Sequence, residues 1–356
     1  MIGRDVKPPV GTGGAPPAHI SARLNEATRK NLRVMYDFDQ VVDRKGTSSI
    51  KWNFQDSFGQ HDGLLPFWIA DTDFATEPEI MRAIQKRCDH PIIGYSDPLP
   101  GVYTAIQGWW ERRHGWKPET DWMLLSYGVV TGIYFPLETL VPRGGKVLVF
   151  TPVYDPFFAA VKNSGHTLVE CPLLLQDQSY TIDWARFEDE LKHGVEAVVF
   201  CNPHNPVGRV WTADEMDRLT QLCAQYSVYL LSDEIHADFG LTRPYTTAGR
   251  YPCIHKKLVV YTAISKSFNL AGMGSSCMMI PNPDLKKRIQ EAYDSRWMFG
   301  PSDLAFRRPT PTATPGWMPS APTSARTPRW SPASLPSGCP GSGRPAMRAP
   351  SSCGWT

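Results

Sequence analysis

No apolar run in the chain approaches the roughly 18 residues that a membrane-crossing helix needs. The opening residues, MIGRDVKPPVGTGGAPPAH, lack the roughly 7–15-residue apolar core of a secretory signal. The eight cysteines (88, 171, 201, 223, 253, 277, 339 and 353) contain no C-x-x-C pair, so neither a zinc site nor a disulfide frame is expected. These absences exclude the membrane and secreted classes and predict a cytoplasmic protein with reduced thiols. Residues 307–356 lack Asp, Glu and Lys, and also Val, Ile, Phe, Tyr, Asn, Gln and His. They hold 11 Pro, 8 Ser and 6 Arg, from which no packed core can be built. Suitable codons for PTPTATPGWMP, read one base out of register, can give AYTHGDAWMDA. The stretch therefore reads either as a frameshift product or as a genuine Pro-rich tail.

What is there is ordinary for a globular protein: 356 residues, 42% hydrophobic and 20% charged, enough for one large domain plus a smaller one. The formal charge of +2 comes from the tail, because the preceding 306 residues sum to −4. That balance excludes a basic nucleic-acid surface. Residues 1–34 start Pro/Gly-rich, continue into a polar helix-like stretch (SARLNEATRKNL), and are expected to form a loose, partly disordered extension.

Between residues 35 and 306 the pattern alternates. β-Branched or aromatic runs at 147–150, 196–200, 227–231, 258–264 and 276–280 predict strands. Amphipathic stretches at 213–226, with Met216, Leu219 and Cys223 recurring, and at 284–297, with Leu285, Ile289 and Tyr293, predict helices. The alternation implies an α/β fold, a mostly parallel sheet with helices on both faces.

Ligands of open α/β sheets bind beyond the carboxyl ends of the strands. EAVVF runs into CNPHNPVG, SVYLL into SDEIH, and LVVYTAI into SKSFN. These ends deliver Asn205, Asp233, His236, Ser265 and Lys266. Singly, each has a plain alternative, a solvated loop lysine or a helix-capping aspartate; three convergent ends are harder to dismiss. SYGVVTGIYFPLETL reads as a glycine turn opening a helix, with Gly128 and Gly132 flanking Val129–Thr131, and a helix start is a seat for phosphate. A lysine amine, a carboxylate and a phosphate seat together suit pyridoxal 5′-phosphate: Schiff base, pyridinium partner and phosphate cradle. Tyr154, in TPVYDPFF, is the candidate aromatic plate, or else a packed strand-to-helix tyrosine.

These strings resemble the class I/II aminotransferase superfamily of fold-type I pyridoxal 5′-phosphate enzymes. More narrowly they resemble its MalY/PatB-type cystathionine β-lyase (cysteine-S-conjugate β-lyase) branch. FDQVVDRKGTSSIKWN, LPFWIADTDFATEPEI, IIGYSDP, TPVYDPF, NPHNPVGRVW, SDEIHADF and SKSFNLAG follow that branch in order over about residues 36–306. DEIH belongs to the narrower signal, since many aminotransferases carry Tyr where His236 stands.

The resemblance implies an aspartate aminotransferase fold, with 35–306 as the cofactor-binding large domain plus the first segment of the small domain. It implies Lys266 as Schiff-base lysine and then base at the substrate Cα, and Asp233 paired with the pyridinium. Asn205 and His236 would lie at the cofactor 3′-oxygen edge, and Tyr154 would stack on the ring. Val130, Thr131 and Ser265 would hold the phosphate, joined by Tyr95 from the partner subunit of a homodimer. The substrate would be a small amino acid, L-cystathionine or a related cysteine conjugate, cleaved to a thiol, pyruvate and ammonia. An aminotransferase on the same scaffold and an impaired or non-enzymatic relative are the alternatives. Two departures stand out. Ala263 and Gly274 replace a small hydroxyl residue and an arginine common in relatives. The C-terminal small domain, source of the arginine that grips the substrate carboxylate, is expected to be missing or frameshifted, and no arginine beyond Phe306 takes its place.

Overall fold

The computed structural model describes residues 39–52, 65–92, 94, 96–241 and 243–296. The extension at 1–34, the tail at 307–356 and Tyr95 lie outside the described residues.

In chain order, the first helices are α1 (Pro78–Cys88) and α2 (Val102–His114). β1 (Met123–Ser126), α3 (Val129–Leu140), β2 (Lys146–Thr151), α4 (Pro156–Asn163) and β3 (Thr167–Pro172) follow. A hairpin of β4 (Leu174–Gln176) and β5 (Ser179–Thr181) precedes α5 (Trp184–Lys192) and β6 (Val195–Cys201). Then come α6 (Ala213–Gln225), β7 (Tyr229–Asp233), β8 (Leu258–Thr262), the short α7 (Ile264–Ser267), β9 (Ser276–Met279) and α8 (Pro283–Asp294).

Seven strands form one sheet in the order β1-β9-β8-β7-β6-β2-β3. β9 runs antiparallel to both of its neighbours; the remaining pairs are parallel. β1 and β8 therefore point the same way, with Ser126 opposite Ser276 and Thr262 opposite Cys277. The carboxyl ends of β1, β2, β6, β7 and β8 share one sheet edge.

Side chains alternate across this sheet with period two, and both faces are covered. Leu148, Phe150, Val198, Phe200, Leu230 and Val260 pack with Trp110 of α2, Phe187 of α5 and Met216 of α6. Val149, Val199, Leu231, Val259 and Tyr261 pack with Ile133 of α3, Phe157 of α4 and Ile289 of α8. Each large side chain buried in this way contributes about 1.5–3 kcal/mol of transfer free energy. Helix starts are set by local chemistry. Thr212 and Glu215 form a reciprocal capping box on α6, and Asn282 caps α8 through the Asp284 and Leu285 N–H groups.

The five predicted strands are present, with shifted ends. The run at 227–231 becomes Tyr229–Asp233, because Ser227 takes a left-handed turn (φ 55°) before the chain enters the sheet. The run at 258–264 stops at Thr262, and Ile264 opens α7 instead. Among the described residues, no helix is long and apolar enough to cross a membrane.

Candidate active site

The shared carboxyl edge assembles the polar residues. Asp233 is the last residue of β7 and only 4% exposed. Its Oδ1 accepts the Ile235 N–H at 3.1 Å, and among the described residues no donor is recorded on Oδ2. Burial, more than the neighbouring Glu234, raises its carboxyl pKa to about 7. Lys266 acts in the opposite sense, so the two groups feel each other's charge.

Lys266 stands in α7, where β8 leaves the sheet. Its Nζ donates to the Ala70 carbonyl at 2.9 Å. Burial pulls its pKa below the ordinary lysine value, while Asp71 and Asp233 push it back up. The next residue, Ser267, donates its hydroxyl to Asp238, which also accepts from Trp109 Nε1 (3.2 Å) and lies 3.0 Å from His114 Nε2. Asp238 thus ties the lysine turn to α2.

His236 lies three residues beyond Asp233. Burial, reinforced by the Lys266 charge, lowers its pKa to about 4, so the ring is neutral at pH 7. Asn205 sits partly buried in the turn after β6, where its backbone N–H meets Cys201 Sγ at 3.4 Å. Among the described residues its side-chain amide makes no hydrogen bond and is available to a ligand. Behind it, buried Asn202 anchors this turn by donating to Thr246 O at 2.9 Å.

Tyr154 follows β2 and is 41% exposed, edge-on to Phe157. Burial first, then the Asp233 charge, raises its phenol pKa, which places it by the same carboxylate. Val130 and Thr131 are in the first turn of α3. Its N-cap, Gly128, has φ 83° and supplies no side-chain cap. Among the described residues, the first N–H groups of α3 therefore have no side-chain cap and stand as donors at the positive end of the helix dipole. Gly132, one turn in, lies so close to the sheet that a Cβ would come within 3.1 Å of Ser126 Oγ and 3.3 Å of the Tyr261 ring. Ser265 is partly buried beside Lys266. The structure thus brings Asn205, Asp233, His236, Tyr154, Val130, Thr131, Ser265 and Lys266 to one edge; Tyr95 lies outside the described residues.

Three features escaped the sequence reading. Tyr261, in the lysine strand, is fully buried with a hydroxyl that finds no partner among the described residues, and burial first, then the Asp233 charge, raises its phenol pKa. The segment 70–74 lies over Lys266, held by Asn269, Arg44 and Lys51. Asp238 braces Ser267. The strings carrying these residues were visible, but only as pieces of a resemblance. Their one local signal, the Asp71-x-Asp73 pair, gives no hint of its partners.

Comparison with known proteins decides the family. The model for aminotransferase class I and II matches residues 69–292.

The chain belongs to the class I and II aminotransferase family.

Within that family it is 37% identical over 250 residues to cystathionine beta-lyase PatB of Bacillus subtilis (strain 168), covering 69% of this chain and 64% of that protein. It is 31% identical over 279 residues to Protein MalY of Escherichia coli (strain K12), covering 76% and 70% of the two chains. The crystal structure of cystalysin from Treponema denticola, which contains pyridoxal 5′-phosphate, superposes with a TM-score of 0.70 at 33% identity. That match covers 76% of this chain and 70% of cystalysin. The match to PatB thus spans somewhat less than two thirds of that relative's length. The PLP-dependent transferase fold of these relatives is the fold described above.

Proposed function

We propose that this chain binds pyridoxal 5′-phosphate and acts as a carbon–sulfur β-lyase on L-cystathionine or a related cysteine-S-conjugate. The observation that carries the reading is the buried Asp233 carboxylate, with one oxygen unclaimed among the described residues, beside a desolvated Lys266 amine on the same edge as a helix start without a side-chain cap. An amine, a carboxylate for a ring cation and a set of free N–H donors match the three ends of that cofactor.

When bound, pyridoxal 5′-phosphate supplies an electron sink that stabilises negative charge at the substrate Cα. Lys266 is the proton carrier there, because burial lowers the pKa of its amine and so eases the loss of its proton. Asp233 holds the ring nitrogen; its own pKa of about 7 falls once a cation sits against it. The Val130 and Thr131 N–H groups and the Ser265 hydroxyl would hold the phosphate, Asn205 would donate to the ring oxygen, and Tyr154 would cover the ring face. Neutral His236 lines the same edge without adding charge.

The overall reaction breaks Cα–H and Cβ–S and consumes one water, turning the conjugate into free thiol, pyruvate and ammonium. The names of PatB and cystalysin's bound cofactor support this reading. A homodimer is part of the proposal, with Tyr95 serving the partner's phosphate. Exposed Phe67, Trp68, Ile264 and Met273 around the lysine turn are consistent with a covered surface. The test is release of pyruvate and thiol from L-cystathionine by cofactor-loaded chain with no keto acid present. Turnover only with a keto-acid acceptor would assign aminotransferase activity instead, and no turnover in a folded, loaded sample would overturn both.

A further inference from the structure

Residues 70–74 cross the lysine turn as a strap held from two sides. On the lysine's own turn, Asn269 Oδ1 accepts the Thr72 N–H at 3.1 Å, and its Nδ2 donates to Thr72 O at 3.0 Å and Phe74 O at 3.2 Å. On the outer side, Arg44 forks across both Asp71 oxygens at 3.0 and 2.7 Å and reaches Asp73 Oδ1 at 2.8 Å and Thr72 O at 3.2 Å. Lys51 adds Asp73 Oδ2 at 2.6 Å and Asp71 O at 3.1 Å. Arg44 and Asp71 are about four-fifths buried, with side-chain exposures of 20% and 18%. Arg44, the strap residues Asp71 and Thr72, and Asn269 together line a cavity of about 250 Å³.

This arrangement gives Asp71 two roles. Its neighbouring Ala70 carbonyl receives the Lys266 amine, whereas its carboxylate is occupied by the guanidinium. The Arg44 hydrogen bond is the main reason its carboxyl lies below the usual range, so it is ionised at neutral pH. The charged and titratable groups acting on the amine are Asp71 from the strap, Asp233 from β7 and neutral His236, with Arg44 and Lys51 behind Asp71. A neutral carbonyl acceptor holds the ammonium form less strongly than an uncompensated carboxylate would, so burial can lower the amine's pKa.

We propose that Arg44 is a positioning residue for Lys266: its fork holds the strap in register and keeps the Asp71 carboxylate compensated, so that the amine meets the Ala70 carbonyl and not a free negative charge. This rests on the reading above that Lys266 is the reactive amine.

The test is competitive labelling of the full chain with acetic anhydride from about pH 6 to 11, with Lys266 read by mass spectrometry against exposed Lys162. Arg44→Met is expected to move the Lys266 labelling midpoint to higher pH. Asp71→Asn is expected to move it to lower pH, and the double variant to follow Asp71→Asn. Arg44→Lys keeps the charge without the fork and should shift upward by less; it carries the comparison if Arg44→Met does not fold. A merely structural role would loosen the site and move both single variants toward an ordinary solvated lysine. Shifts of the same sign, or none, would therefore overturn the proposal. The labelling needs no cofactor. Failure of borohydride to trap pyridoxal 5′-phosphate on Lys266 of the unsubstituted chain would instead count against the functional reading alone.

Discussion

Asn269 and Thr72, 197 positions apart, pair through their amide groups: each donates one N–H to the other's oxygen, at 3.0 and 3.1 Å. Asn269 can do this because its backbone sits in the left-handed region (φ 56°), which asparagine tolerates better than most residues. Asn269→Gly keeps that conformation and deletes the pairing. Loss of about 1–2 kcal/mol of local stability should speed amide hydrogen exchange at Thr72 roughly 5–30-fold. Unchanged exchange would mean that the strap is held from the Arg44 side alone.

Asp233 makes the cofactor-free protein sensitive to pH in an unusual direction. Its folded pKa, about 7, lies above the ordinary aspartate value of 3.8, so between those values the folded state holds a proton that the unfolded state has lost. Stability therefore falls as pH rises through that window, by about 4 kcal/mol if Asp233 acts alone. Chemical denaturation of the cofactor-free chain at about pH 5 and pH 8 should show roughly 2–3 kcal/mol of that loss, and Asp233→Asn should flatten the difference.

His236 should not titrate in the physiological range. With its pKa lowered to about 4 by burial, its Cε1 proton resonance is expected to stay flat from about pH 5 to 8. A midpoint near the ordinary imidazole value would show that the ring is solvated and does not face the lysine.

Glu234, fully buried next to Asp233, accepts from the Ser232 hydroxyl at 2.8 Å, from the Tyr245 hydroxyl and from the Ala248 N–H at 3.0 Å. It anchors the 245–248 loop behind the strand that ends in Asp233. Glu234→Ala orphans these donors and should cost about 2–4 kcal/mol, read as a lower urea midpoint. Glu234→Gln, which retains an acceptor, should lose less.

Legibility in the sequence followed contact range. β2, β6, β7 and β8 announced themselves as short runs rich in β-branched, aromatic and leucine side chains because they are buried on both faces, and β6, β7 and β8 deliver their polar residues at or within a few residues of their ends. β1 is only four residues long, and β3 is mostly half-exposed, so neither gave a comparable signal. The seat at Gly128–Thr131 was readable because glycine at a helix start has a local cause. Nothing local connects Arg44 with Asp71, or Asp238 with Ser267. Those pairings depend on how distant segments dock, which periodicity does not encode. The ionisation of Asp233 and His236 was likewise hidden, since it follows from burial more than from residue type.

The 196-residue separation between Ala70 and Lys266 also sets an order of events during synthesis. The strap leaves the ribosome long before the lysine, and β1 must similarly wait for β9, its only partner in the sheet among the described residues. The middle strands, joined by local crossovers, can assemble while both wait. The Lys266 amine is thus enclosed by a seam drawn shut late in translation, and a nascent chain stopped before residue 266 would hold the centre of the sheet with nothing yet to enclose.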